Sequence, residues 1–289
     1  MDLRVLDRDL TLAASADQYD LGMECYQEWN DGSGQSSAQF YRVADGFLVR
    51  FRGIADFCIS DKNGSVLCTP VDGSDKRWQA IYQQQVLPLI HSLVGDPVYH
   101  GAGVALGEVA VAFLGPSGRG KSTLTAAFAR RGYAFLGDDC LHLVRDAQDC
   151  MNVQPHADHI RLWGDSITAL STSQMVAGHR PGSLKPHLAA TKGLRHCDRA
   201  LRLARVYVLG DGSAATTMLT PLTAAEMILA WTRNAFVLDI KSPAVLRRGF
   251  DAATRLAQTI PARQLDYPRR YEALDEVVAC VLADLEILS

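Results

Sequence analysis

The sequence has 289 residues, of which 48% are apolar and 21% charged, and its formal net charge is −3. This balance is typical of a globular protein with room for one large or two ordinary domains, and it argues against charge-driven binding of nucleic acid or of an anionic membrane. Seven cysteines without a Cys-x-x-Cys pair argue against a zinc ribbon and against a disulfide framework. The first residues lack the apolar run of a signal peptide, and no apolar stretch approaches the roughly 20 residues of a transmembrane helix. We therefore predict a cytoplasmic protein.

The first part of the chain is rich in β-strand signals. Asp45-Gly46 and Asn63-Gly64 each stand between two strand-like runs and predict hairpins. No catalytic group of residues occurs there, so we interpret this part as a small sheet for docking or recognition. A helical pattern follows over residues 75–93, with a kink or break expected at Pro88. We place a domain boundary after it, which gives a β-rich N-terminal domain with a linking helix, residues 1–94, and a second domain, residues 95–289.

The second domain alternates strands and helices. Strands are predicted at 98–106, 109–114, 133–136 and 141–144, and a helix at 122–131. Further strands are predicted at 205–210, 216–222 and 260–267, and helices at 224–234, 243–259 and 271–285. The alternation predicts an α/β fold with a mixed sheet.

A phosphate-binding loop lies between the strand at 109–114 and the helix that follows it. Residues 115–122 read Gly-Pro-Ser-Gly-Arg-Gly-Lys-Ser and fit the pattern G-x-x-x-x-G-K-[ST]. Glycines let the backbone N–H groups point at phosphate oxygens, and the helix adds the positive end of its dipole. Lys121 can neutralise the β- and γ-phosphates, and the Ser122 hydroxyl can bind Mg²⁺, so we predict ATP with Mg²⁺ as ligands. The predicted nucleotide contacts are Gly115, Ser117, Gly118, Arg119, Gly120, Lys121, Ser122 and Thr123.

Two consecutive aspartates, Asp138 and Asp139, come at the end of a predicted strand, and Asp138 is 17 residues after Lys121. Ligands gather at the carboxyl ends of strands in sheets of this kind, which would place both carboxylates beside the loop. One can bind Mg²⁺, and the other can accept a proton from an attacking hydroxyl. A turn or a helix cap is the structural alternative for this pair.

Residues 100–144 resemble the HPr kinase/phosphorylase family. The shared features are His100-Gly101 at the start of a strand hairpin, the loop form G-x-S-G-x-G-K-S, a helix that ends in Arg131-Gly132, and a short strand into Asp-Asp. The resemblance implies an HPr-kinase-like P-loop domain that acts as a serine-directed kinase with ATP and Mg²⁺. It implies a general base at Asp138, a magnesium side at Asp139 and Ser122, and His100 near the transferred phosphate. Where the family has a Glu-Val-Arg-Gly-like segment, this chain has residues 159–164 without the acid, and only Arg161 carries over, as a phosphate contact.

The rest of the sequence departs from the bacterial HPr kinases. It is similar instead to the shorter HPr-kinase-related proteins that tailor lasso peptides, including their β-rich N-terminus, the Arg-Leu-Trp segment and a Tyr-Pro pair near the end. That resemblance implies a peptide partner, the C-terminal serine of a ribosomally made precursor. It gives no support to phosphorylase activity, and it leaves the oligomeric state open, with a homo-oligomer as one alternative.

Residues 175–205 form a basic segment. They could act as a lid over the triphosphate and the acceptor, with Arg180, Lys185, Lys192, Arg195 and Arg199 as candidate contacts, or as a solvated loop. The alternatives to a peptide kinase are a kinase for another protein or for a small-metabolite hydroxyl, and a non-catalytic binding module that ATP regulates.

Overall fold

The computed structural model describes residues 10–12, 23–30, 34–74, 76–156, 158–170, 177–178, 187–189 and 194–286. The chain divides into two compact units between Val94 and Gly95. No helix of the described ranges is long and apolar enough to cross a membrane. All seven cysteines are free thiols.

The first unit contains a six-stranded sheet in the order β1-β6-β5-β4-β3-β2, antiparallel except for the parallel pair β1 and β6. Both predicted hairpins are present, since β4 pairs with β3 across Asp45-Gly46 and β5 pairs with β6 across Asn63-Gly64. Gly46 has a φ of 148°, and a Cβ there would lie 2.0 Å from the Ile59 carbonyl oxygen, so only glycine fits this turn. The strands are β1 (Leu10–Leu12), β2 (Cys25–Asn30), β3 (Ser36–Val43), β4 (Gly46–Phe51), β5 (Ala55–Ser60) and β6 (Val66–Pro70).

The helical segment of this unit is interrupted, although not where the sequence predicts. It consists of α1 (Arg77–Ile81), a π-helical stretch (Tyr82–Val86) and α2 (Leu87–Val94). The departure from α-helical geometry therefore comes directly before Pro88 rather than at it. Proline has no N–H to donate and crowds the turn that precedes it, which accounts for an altered bonding pattern on that side.

The second unit is built on a nine-stranded mixed sheet with the main order β10-β8-β9-β16-β12-β11-β7. Strand β18 pairs in parallel with β16 and antiparallel with β17. A separate three-stranded sheet has the order β13-β15-β14. The strands are β7 (Val98–Tyr99), β8 (Gly101–Leu106), β9 (Val109–Leu114), β10 (Phe135–Gly137), β11 (Leu141–Arg145), β12 (Met151–Val153), β13 (His159–Arg161), β14 (Ala177–Gly178), β15 (His187–Ala189), β16 (Leu201–Leu209), β17 (Met218–Pro221) and β18 (Ala262–Asp266).

Strand directions bring the chemically important segments to one edge of this sheet. Strands β9, β16 and β18 are parallel neighbours. Strand β10 runs in the same direction as β9, because both are antiparallel to β8, which lies between them. The carboxyl ends of β9 and β10, where the phosphate loop and Asp138 follow, thus lie at the same edge, as the sequence predicts.

The segment predicted as one strand at 98–106 is two strands with different partners. Strand β7 pairs with β11, whereas β8 pairs with β9 and β10. The break falls at His100, whose backbone N–H donates to the Asn234 carbonyl instead of to a neighbouring strand.

Helices cover both faces of the large sheet. Side chains alternate along β9, so Val111 and Phe113 pack in one cluster with α3 and α7, whereas Ala112 and Leu114 pack in another with α5 and α6. Helix α5 begins at a capping box between Thr223 and Glu226. The helices are α3 (Lys121–Arg130), α4 (Gly164–Leu170), α5 (Ala224–Asn234), α6 (Pro243–Thr259), a 3₁₀ turn (Tyr271–Ala273) and α7 (Leu274–Glu286).

Candidate active site

The phosphate loop occupies residues 115–120, between the end of β9 and the start of α3. Gly115, Gly118 and Gly120 have φ values of 144°, 81° and 89°, a region that side chains rarely adopt. A Cβ at Gly120 would lie 3.1 Å from the Tyr267 hydroxyl, which comes from the end of β18. The glycines are therefore required by the backbone of the loop and, at Gly120, also by a neighbouring strand end.

Lys121 lies along the inside of this loop and is 5% exposed. Its ammonium donates to the Gly115 carbonyl at 2.6 Å and to the Pro116 carbonyl at 3.1 Å. These bonds hold a buried positive charge against the loop, where an anion bound by the loop amides would meet it.

Asp138 is buried behind the end of β10. Its Oδ2 accepts from the Arg161 backbone N–H at 3.0 Å, and its buried Oδ1 has no hydrogen-bond partner in the described structure. Burial, together with the charge of Asp139, raises the pKa of Asp138 to about 7. A carboxylate with a pKa close to neutral pH is suited to accept and release a proton.

The Asp139 side chain lines the same cavity as the phosphate loop and forms an ion pair with Arg161. Its Oδ2 accepts from Arg161 Nε at 2.6 Å and also from Arg161 Nη2. Its φ of 65° is unusual for a residue other than glycine. Arg161 thus contacts both aspartates, one through its backbone and the other through its guanidinium.

His100 closes the site from the break between β7 and β8. Its Nδ1 lies 3.1 Å from the Asp139 carbonyl oxygen, so Nδ1 carries the proton and donates it, which leaves Nε2 as an acceptor in the neutral ring. Burial, followed by the charge of Lys121, lowers the pKa of His100 to about 4. His100 is therefore uncharged at neutral pH.

One cavity of about 90 Å³ joins the loop to these side chains. Nine of the predicted site residues line it, whereas Gly115, Arg119 and Asp138 do not. Leu162 and Trp163 also line it, and the sequence analysis did not select them as site residues. The alternation of side chains along an extended segment, which places Trp163 on the same side as Arg161, could have identified the tryptophan. The lining is His100, Ser117, Gly118, Gly120, Lys121, Ser122, Thr123, Asp139, Arg161, Leu162 and Trp163.

Two side chains that line this cavity, Ser122 and Asp139, offer oxygen atoms that could hold a magnesium ion. Asp138 lies at the same strand end, and its side chain interacts with Ser122. Mg²⁺ prefers such hydroxyl and carboxylate ligands and retains several waters. Arg161 currently supplies the positive charge that Asp139 would otherwise receive from the metal.

The basic segment is only partly described. Arg180, Lys185 and Lys192 lie outside the described residues. Arg199 forms two 2.7 Å bonds to Glu108, in the turn before β9, at the end of that strand opposite the phosphate loop. The six residues of β9 span roughly 20 Å, which separates this ion pair from the phosphate loop by about that distance. Arg199, one of the five candidate contacts, is therefore paired at the edge of the sheet opposite the phosphate loop.

Comparison with known proteins gives little further information. No family model matches the chain, and no curated protein matches it. Among solved structures it is similar to the Hpr(Ser) kinase/phosphatase from Coxiella burnetii, with 11% sequence identity and a TM-score of 0.33. The match covers 65% of this chain and 92% of that chain.

Proposed function

We propose that the chain is an HPr-kinase-like serine kinase that uses ATP and Mg²⁺, and that its acceptor is the C-terminal serine of a ribosomally made lasso precursor peptide. The observation that carries the kinase activity is the arrangement around Arg161. This residue joins Asp138 and Asp139 at the same sheet edge as the phosphate loop, and its side chain lines one cavity with Lys121 and Ser122. The choice of a peptide acceptor is supported by the resemblance of the sequence to the lasso-peptide tailoring kinases.

The proposed reaction assigns a task to each group. The loop amides and Lys121 would hold the β- and γ-phosphates, and Asp138 would take the proton of the serine hydroxyl. The serine oxygen then bonds to the γ-phosphorus as the bond from that phosphorus to the bridging oxygen breaks, which releases ADP. His100, neutral and with Nε2 free to accept, would orient the hydroxyl or a water. Mg²⁺ held by Ser122 and Asp139 would offset charge on the phosphate oxygens.

The test is transfer of phosphate to a short peptide that ends in serine. The protein is incubated with ATP and Mg²⁺, and the peptide mass is measured. We expect a gain of one phosphate that Asp138→Asn abolishes and that Arg199→Ala, at the opposite end of β9, leaves intact.

Two negative outcomes have different meanings. Transfer to a protein or to a small hydroxyl compound, but to no peptide, would replace the acceptor and keep the chemistry. Binding of ATP without transfer to any acceptor would refute the kinase and favour a nucleotide-regulated binding module.

A further inference from the structure

Three consecutive residues at the end of β13 line the site: Arg161, Leu162 and Trp163. Leu162 is 1% exposed and packs in the cluster that contains α3 and α7. Trp163 follows Arg161 by two residues, the spacing that places side chains on the same side of an extended segment. Trp163 stays 54% exposed there.

Both ends of this segment are fixed by hydrogen bonds. The Arg161 N–H donates to Asp138, and the Trp163 carbonyl accepts from the Ile167 N–H at 3.0 Å, in the first turn of α4. Helix α4 is linked in turn to α3, since Ser166 Oγ and Thr123 Oγ1 are 3.3 Å apart. The indole therefore projects from a rigid position, and a ligand that covers it loses little freedom in the protein.

The neighbours of Trp163 in the cavity indicate which part of the reaction it faces. Arg161, two residues before Trp163, contacts both Asp138, the proposed base, and Asp139, and the side chains of Asp139 and His100 line the same cavity. Trp163 thus borders the end of the site where an acceptor must approach.

We propose that Trp163 is an acceptor-binding residue, and that it packs against an apolar side chain that directly precedes the acceptor serine of the peptide. This inference depends on the proposed peptide kinase activity. Covering the exposed indole with an apolar side chain removes apolar area from water on both partners, and tryptophan is prominent among residues that dominate binding.

The experiment uses the full chain and two pentapeptides that end in serine, with leucine or glycine before it. We expect the wild type to prefer the leucine peptide. Trp163→Ala should lower kcat/KM for that peptide by about tenfold, mainly through KM, and should remove the preference. Trp163→Phe should restore most of it, and the Kd of ADP with Mg²⁺, measured by calorimetry, should not change. Phe250→Ala, on α6 and equally exposed at 54%, is the matched control and should behave as wild type.

Four results would overturn the inference in distinguishable ways. A weaker Kd for ADP with an unchanged peptide KM would assign Trp163 to the nucleotide. An equal loss of kcat on both peptides that phenylalanine does not restore would make its role structural. If the wild type transfers no phosphate to either peptide, the proposed function itself fails. If the wild type transfers phosphate and Trp163→Ala has the same kcat/KM for both peptides as the wild type, only the role of Trp163 fails.

Discussion

Arg161 and a magnesium ion would compete for the same carboxylate, which gives a measurable prediction. The guanidinium donates two bonds to Asp139 Oδ2, and the two side chains are 27% and 13% exposed. Hydrogen bonds to a charged group contribute about 1.5–3 kcal/mol. The protein loses this contribution when an ion displaces Arg161 from Asp139, so the loss weakens ion binding. Arg161→Met removes that competitor and leaves two adjacent carboxylates without it. We therefore expect Mg²⁺ to bind the variant about 10- to 100-fold more tightly in the absence of nucleotide.

Thermal unfolding with and without an excess of Mg²⁺ measures this effect. A ligand that binds only the folded state stabilises it by RT ln(1 + [L]/Kd), so the added stabilisation is about 1.4–2.7 kcal/mol when both proteins are saturated. At about 2–4 °C per kcal/mol, the Mg²⁺-induced rise in Tm should be larger in Arg161→Met by about 3–10 °C. Arg199→Met, which removes an exposed pair with Glu108, should show the wild-type response. A response in Arg161→Met equal to or smaller than that of the wild type would refute the competition, and with it Asp139 as a metal ligand.

Four further variants test other parts of the structure. Lys121→Met should weaken ADP binding by about 10- to 100-fold in calorimetry, because it removes the buried ammonium from the loop. Gly120→Ala should lower the unfolding free energy by about 1–3 kcal/mol, given its φ of 89° and the tyrosine hydroxyl at 3.1 Å. Asp284→Asn should cost about 3–5 kcal/mol in urea unfolding, because it leaves the buried Arg205 without its carboxylate. The pKa of His100 is lowered to about 4 in the folded protein, against about 6.5 in the unfolded chain. Between pH 4 and about 6.5 the unfolded chain therefore binds more protons at this residue, so the free energy of unfolding falls as pH falls through that window. His100→Asn should lose this acid sensitivity, measured as Tm against pH.

Local patterns made much of the second unit predictable. Helix α6 follows a serine cap with proline at its start, and α5 follows a capping box, so both have the predicted bounds. The strand, glycine loop and helix around Lys121 are contiguous in sequence, so the motif predicts their order and context directly.

Contacts between distant segments were not predictable in the same way. Arg161 is 22 residues from Asp139, and no local pattern says that its guanidinium lies on that carboxylate. The break at His100 likewise depends on a bond to Asn234, far along the chain. Arg199 was one of five candidates chosen from the basic composition of their segment, and composition could not predict its pairing with Glu108 at the opposite edge.

The backbone at Asp139 explains how two consecutive carboxylates can serve one site. In an extended chain adjacent side chains point to opposite faces, so a strand that continued through Asp138 and Asp139 would turn one carboxylate away. The φ of 65° at Asp139 breaks that alternation and lets both reach Arg161. A left-handed residue other than glycine costs about 1–2 kcal/mol, and aspartate is among those that tolerate it. The turn also keeps Asp138 next to a like charge, which contributes to its raised pKa. Backbone strain often persists at functional sites, so the turn at Asp139 agrees with the chemical role proposed for the aspartate pair.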